Sequence, residues 1–394
     1  MHYRWVVLAV LFLARTSMAF QFQSVAALAP LVAADHGASL ADIGLLIGLY
    51  FAPGIVIAIP GGAIARLLGD RRVLAGGMVL MLAGGLLPAL SGSWDALVAG
   101  RLIAGIGGVV LNVQLAKMLT DWFLGREIAT AMAVLINAWP IGIATALLVL
   151  PAMADPGNLA PAWLTVLALV ALGFALFLLA WRAPPAASAN EAGAGRAVAL
   201  PLVALSLAGA VWALYNGALV MVFGFGPTLL SERGWPLAEA SSTTSIVLWL
   251  MVVSVPLGGL LADRSGRRDT VLALGLAGFA LLLVAAALAP LRAVPAIFVG
   301  LGLVSGISGG PILSLPSLVL RPETRALGMG VFFTFSYLAL MVSPTLGGWL
   351  AERTGDAGTA FVLGAAMLVL GLAALGLFRR DVGRAATAAP RPRS

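Results

Sequence analysis

The chain contains no cysteine. Disulfides, thiolate nucleophiles and thiolate metal sites are thereby excluded. Charge is nearly as scarce: Asp, Glu, Lys and Arg make up 10% of the residues, against roughly 25% in soluble domains. The histidines are His2 and His36 alone, too few and too far apart to suggest a zinc site. Lys117 is the single lysine, and no G-x-x-x-x-G-K-[ST] loop exists to cradle a nucleotide. No cofactor is implied. Acids are missing from the places that matter most. Asp42, Asp121, Glu127, Glu232, Glu239, Asp263, Asp269 and Glu323 all fall at the ends of apolar runs or in loops.

What the chain has is apolar length. Of its 394 residues 61% are hydrophobic, and the mean hydropathy is +1.05. Twelve runs are long enough to cross a bilayer, which takes about 20 apolar residues. They fall near 5–33, 41–65, 73–91, 96–118, 128–152, 162–181, 199–229, 237–261, 270–289, 295–319, 327–350 and 358–378. The runs are continuous rather than alternating, which excludes a β-barrel. The expected fold is therefore an all-α, multi-pass integral membrane protein of twelve transmembrane helices, with the lipid bilayer as its solvent. The net charge of +7 is a topology signal and not a nucleic-acid footprint: with the N-terminus inside, 18 of the 23 basic residues fall on the inner side. Both termini are thus expected in the cytoplasm, in a membrane such as the bacterial inner membrane. The first run is too long for a signal-peptide core and reads as a retained helix. The tail 381–394 reads as disordered.

The stretch APPAASANEAGAGRA, 183–197, is the longest polar interruption and has linker composition. It divides the chain into bundles at 1–182 and 199–380, with 183–198 as a cytoplasmic linker. The halves repeat. GGAIARLLGDRR from Gly61 aligns with GGLLADRSGRRD from Gly258 at an offset of 197, pairing Gly62 with Gly259, Gly69 with Gly266 and Arg71 with Arg268. Such duplication marks many secondary transporters, whose site lies between the halves at mid-membrane.

G-x-x-x-D-R-x-G-R-R, from Gly259 through Asp263, Arg264, Gly266 and Arg267 to Arg268, resembles the signature loop of the major facilitator superfamily. The first copy departs from it, with Arg66 where the family usually has aspartate. Arg101, Gly105 and Gly107 resemble a second family motif, and TDWFLGREIATAMA (120–133) resembles the loop between helices 4 and 5. The general look is similar to anion-handling and cyanate/nitroimidazole permease-like members. The resemblance implies two pseudo-symmetric six-helix bundles that rock around a central site. It also implies gating or coupling roles for the loop residues and for Arg101. The alternative for the loops is plain topology anchoring, and for Arg101 a structural role or substrate contact.

Arg15 lies 11 residues past Arg4, about 16 Å along a helix, near the centre of a hydrocarbon core about 30 Å thick. A permanent cation there costs about 2.5–3.5 kcal/mol on insertion scales, so it needs water or a partner. The resemblance implies that helix 1 lines the cavity. At the offset of 197, Arg15 pairs with Trp212 and Asn137 with Thr334. Tyr215, Asn216, Trp249, Tyr337 and, from helix 1, Gln23 complete the candidate set. A guanidinium facing rings suits a small planar anion, a carboxylate or oxyanion. The competing reading satisfies Arg15 within the protein.

An enzyme is not expected. GISGG (306–310) matches G-x-S-x-G, but no base accompanies Ser308, and the strand–turn–helix context is missing. The transport readings are uptake or exchange of a small anion, by proton symport or anion exchange; efflux of hydrophobic drugs or metabolites by proton antiport; neutral-solute transport; and a non-transporting sensor. The partners expected are a small solute and protons, with no nucleic acid, and the chain is expected to be a monomer.

Overall fold

The computed structural model describes residues 3–57, 68–123, 127–182, 200–321 and 324–388. Twelve spans cross it. The first half holds α1 (Tyr3–Ala27), α2 (Leu40–Ile57), α3 (Asp70–Leu90), α4 (Trp94–Phe123), α5 (Ile128–Val149) and α6 (Ala160–Ala180). The second holds α7 (Leu202–Glu232), α8 (Leu237–Ser265), α9 (Arg268–Leu288), α10 (Leu291–Leu318), α11 (Arg325–Thr354) and α12 (Gly358–Ala388). The linker 183–198, with Gly62 and Arg66 of the first loop copy, lies outside the described residues.

The ends follow local chemistry. α1 stops at Ala27, and a short helix, Ala29–His36, with Pro30 in its first turn, ends on Gly37 at φ 60°. α2 opens on a reciprocal capping box between Ser39 and Asp42. Gly69 and Gly266, paired by the repeat, both adopt positive φ, 82° and 63°. That conformation explains why both loop copies carry glycine there. Helix continues through Pro140, Pro227, Pro256 and Pro344. α10 instead breaks into short 3-10 and α turns from Gly306 to Leu318, where glycines and Pro311 and Pro316 weaken the backbone ladder.

Lipid offers no hydrophobic drive for helix association, so close backbone approach through small residues matters. The packing repeats between halves. α1 lies against α5 and α6, as α7 does against α11 and α12; α3 pairs with α4 as α9 does with α10. The halves meet along two equivalent seams, α2 with α11 and α5 with α8. The α2–α11 seam is backbone on backbone: Gly44 faces the Pro344 carbonyl, Gly48 that of Met341, and Gly348 that of Leu40. These residues lie toward the face opposite the termini, which is therefore closed.

The terminal face is held differently. Arg4 pairs with Glu127 and Lys117 with Asp70 and Asp121 in the first half; Arg268 pairs with Asp263 and Arg379 with Asp269 in the second. Among the described residues every ion pair thus stays within one half, and none ties the two together.

Candidate functional site

Arg15 is half-buried on α1, and its buried Nε has no hydrogen-bond partner among the described residues. No described carboxylate forms an ion pair with it. Its electrostatic neighbour is the phenol of Tyr337, which reaches in from α11. The Tyr337 hydroxyl accepts a 3.1 Å hydrogen bond from Asn112 Nδ2 of α4. It therefore keeps its own proton free for donation. The ring packs where Gly54 leaves room and lies 5.9 Å from Phe51. Phe51, Phe22 and Trp139 extend an aromatic wall, with Trp139 stacked on Phe22 at 5.3 Å and 5.8 Å from Phe51. The result is a mid-membrane meeting of both halves: a cation with no ion pair among the described residues, a tyrosine and an amide beside rings. Asn137 on α5 is half-buried and makes no hydrogen bond with a described residue.

The other sequence candidates divide. Trp212 stacks on Tyr215 at 5.6 Å and on Phe332 at 6.1 Å, and its buried Nε1 has no acceptor among the described residues. Tyr215 turns into the second bundle instead: it is 2% exposed and donates to the Ser305 carbonyl of α10 at 3.0 Å. Asn216 spends its amide on the Trp212 carbonyl, and Thr334 its hydroxyl on that of Gly330, each one turn back. Trp249 is 40% exposed and shares no hydrogen bond or ring contact with a described residue. Gln23 is fully buried on the closed side, where Nε2 donates to the Phe223 carbonyl at 2.7 Å and ties α1 to α7. These placements make Tyr215 and Gln23 packing residues in this conformation, and Trp249 does not join the cluster. Helical phase alone could not separate bundle interior from bundle interface.

Asn112, Phe22, Phe51 and Trp139 were not in the candidate set. The signal for Phe51 was the Ala52-Pro53-Gly54 break, which lets α2 bend beside the site. Asn112 carried the signal of a lone amide among apolar neighbours toward the inner end of α4.

Arg101 is a clamp. It is 5% exposed. Nε donates to Leu46 O at 2.9 Å, Nη1 to Gln21 O at 3.1 Å and Nη2 to Phe22 O at 3.0 Å. Its guanidinium carbon sits 4.8 Å from the centre of the Tyr50 ring. The motif glycines extend the same work: a Cβ at Gly105 would strike the Tyr50 backbone, and one at Gly107 that of Gly77. The motif therefore locks α4 to α1, α2 and α3. Also on α1, Gln21 Nε2 donates to the Met81 carbonyl of α3, and Ser17 donates to the Ala14 carbonyl of its own helix.

In the second loop, Asp263 and Arg268 pair at 2.6 Å across the α8–α9 turn, with both side chains more than half exposed. Arg264, Arg267 and Arg71 make no side-chain hydrogen bond or ion pair with a described residue. A Cβ at Gly259 would meet nothing within 4 Å, whereas Gly258 lies against the Ile307 backbone. The close-approach glycine of the loop is thus Gly258. Ser308, of the GISGG stretch, is 1% exposed and donates to Leu272 O at 3.3 Å, a helix contact with α9.

Twelve spans in two equivalent six-helix bundles, meeting around a polar point at mid-membrane, define a membrane carrier. The chain belongs to the Major Facilitator Superfamily, which matches it over residues 11–230 and 202–393. That family is one of membrane transporters rather than enzymes. Two uncharacterized MFS-type transporters from Mycobacterium tuberculosis strains are 30% identical over 195 residues, spanning 47% of this chain and 42% of theirs. The chain thus matches less than half the length of these relatives. The fold is similar to that of a bacterial homolog of the human lysosomal transporter Spinster, inward-facing and occupied, with TM-score 0.78, 17% identity and coverage of 99% and 98%. It is also similar to a POT family transporter in complex with 5-aminolevulinic acid, with TM-score 0.75, 15% identity and coverage of 95% and 96%.

Proposed function

We propose that the chain moves a small anion, a carboxylate or oxyanion, across the membrane by alternating access, through proton symport or anion exchange. The observation that carries this reading is Arg15, a cation with a buried, partnerless Nε and no described carboxylate beside it. A bound anion would supply the missing acceptor to the guanidinium. The free Tyr337 hydroxyl proton is placed to join it, and Phe51 and Trp139 offer apolar surface to the solute's body. The halves divide at 1–182 and 199–380. With the terminal face taken as cytoplasmic on the positive-inside bias, the closed face is the outer one, and the cytoplasmic face is the one that alternates with it. The loop ion pairs then wait within their own halves, free to re-pair when that face closes.

The test is thermal stabilisation of the purified protein and its Arg15→Gln variant across small carboxylates, oxyanions, cations and neutral solutes. A ligand at one hundred times its dissociation constant stabilises the folded state by about 2.7 kcal/mol. Certain anions are expected to stabilise the wild type and not a well-folded variant. Stabilisation of both forms by neutral or cationic compounds, with no anion acting, defeats the reading and brings efflux of hydrophobic compounds forward.

A further inference from the structure

At the offset of 197, α7 carries Trp212 where α1 carries Arg15. The two helices are turned alike. Gly142 of α5 packs against the backbone of Thr16 and Phe20, and Gly217, the match of Phe20, packs against Ser343 of α11. Arg15 and Trp212 are both half-buried, and each holds a buried nitrogen, Nε and Nε1, without an acceptor among the described residues. Neither nitrogen can do anything but donate. The indole is not free to turn toward another acceptor. Its ring stacks on Tyr215 with planes 23° apart and on Phe332 with planes 17° apart. Tyr215 is itself tied to the Ser305 carbonyl, and Phe332 is fully buried. A phenylalanine would stack there equally well and leave no buried donor unmet, which is costly. Two matched donors, one from each half, thus stand fixed at the same depth with nothing to receive them.

We infer that one solute answers both donors: a keto acid, with its carboxylate at Arg15 and a neutral carbonyl oxygen at the Trp212 N–H. The inference rests on the anion reading of Arg15 and adds the solute's second end. Donors on both sides call for an acceptor at each end. The two ends differ in charge because the donors do. The indole is neutral, and Arg101, the other arginine within the spans, is spent on carbonyls of α1 and α2. A second carboxylate at Trp212 would therefore lose its water without gaining a cation. A carbonyl oxygen accepts the N–H and brings no charge to desolvate. The carbons between the ends suit the rings beside each donor, Tyr337 and Phe51 near Arg15 and Phe332 against Trp212. Since Arg15 belongs to the first half and Trp212 to the second, such a solute touches both bundles and favours the conformations that bring them together.

The experiment titrates the full chain in detergent and reads dissociation constants from the rise in melting temperature with concentration. The probes are keto acids from pyruvate to oxoheptanoate, each beside the plain carboxylate and the dicarboxylate of the same length. In the wild type, at the chain length that spans the two donors, the keto acid is expected to bind about fivefold more tightly than the plain carboxylate, the worth of one hydrogen bond. The dicarboxylate is expected to bind more weakly than the keto acid. Trp212→Phe keeps the ring and removes the N–H. It is expected to lose the fivefold advantage, to bind the plain carboxylate as the wild type does and to melt no lower without solute. Keto acids that match plain carboxylates at every length overturn the proposal in the wild type alone, whatever the variant does. Equal weakening of keto acid and plain carboxylate in Trp212→Phe, or weakening of neither, also overturns it. Dicarboxylates that bind as well as keto acids overturn the neutral far end. Failure of every carboxylate to act on the wild type, or equal binding by Arg15→Gln, removes the anion reading and this inference with it. Binding that needs Arg15 but is indifferent to the Trp212 N–H removes the inference alone.

Discussion

Replacing Gly44 and Gly48 by alanine should force open the face opposite the termini. A Cβ at Gly44 would lie 2.8 Å from the Pro344 carbonyl carbon and 3.1 Å from Thr345 Cα; one at Gly48 would lie 3.0 Å and 3.2 Å from the carbonyl carbon and Cα of Met341. Carbon atoms settle at about 3.5–4.0 Å, so α2 and α11 must part by roughly 0.7 Å or more. Backbone stands on the far side and cannot rotate away as a side chain could. Overpacking of this kind costs about 1–3 kcal/mol. The two sites share one seam, so their costs do not simply add. The penalty falls on the conformation in which the seam is closed, which shifts the balance toward the alternative by about 5–150-fold. Because the chain has no cysteine, labels can be placed without background, at Ser91 in the first half and Glu352 in the second, both exposed on the far face. Double electron–electron resonance should show longer distances in Gly44→Ala/Gly48→Ala than in the parent. Gly76→Ala, where a Cβ meets nothing within 4 Å, is the control and should change nothing. Unchanged distances together with unchanged melting would refute the idea that backbone contact closes this face.

Arg101→Lys should lower stability by about 3 kcal/mol, since one ammonium cannot reach carbonyls on both α1 and α2 and about two charge-assisted bonds are lost; thermal unfolding in detergent checks this, and a loss under about 1 kcal/mol would deny the clamp. Asp263→Asn should change stability by no more than about 1 kcal/mol, because its ion pair with Arg268 is exposed and screened; a larger fall in the same assay would show that the loop pair supports the fold.

The repeat made the halves legible, and the offset of 197 that aligned two loops also pairs Gly69 with Gly266, both at positive φ. The position of Arg15 was legible for a simple reason: a cation that cannot reach either interface must be accounted for wherever the helix turns. Tyr337 was legible by position alone, while its partner Asn112 sits on a helix whose rotation the pattern did not fix. The carbonyl bonds of Tyr215 and Gln23 could not be read from the sequence for the same cause. In a span apolar on every side, hydrophobicity no longer distinguishes lipid, bundle interior and interface.

By itself the sequence determined the twelve spans, the duplication and the solitary mid-membrane cation, because bilayer thickness and the cost of burying charge act on composition and spacing. Tertiary structure alone decided which face is closed, that Arg101 is spent on carbonyls, and that Arg15 is left with Tyr337 and no ion pair to a described carboxylate. Those outcomes depend on how helices rotate and how near their backbones come. Small residues and single hydrogen bonds set these, and hydropathy does not record them.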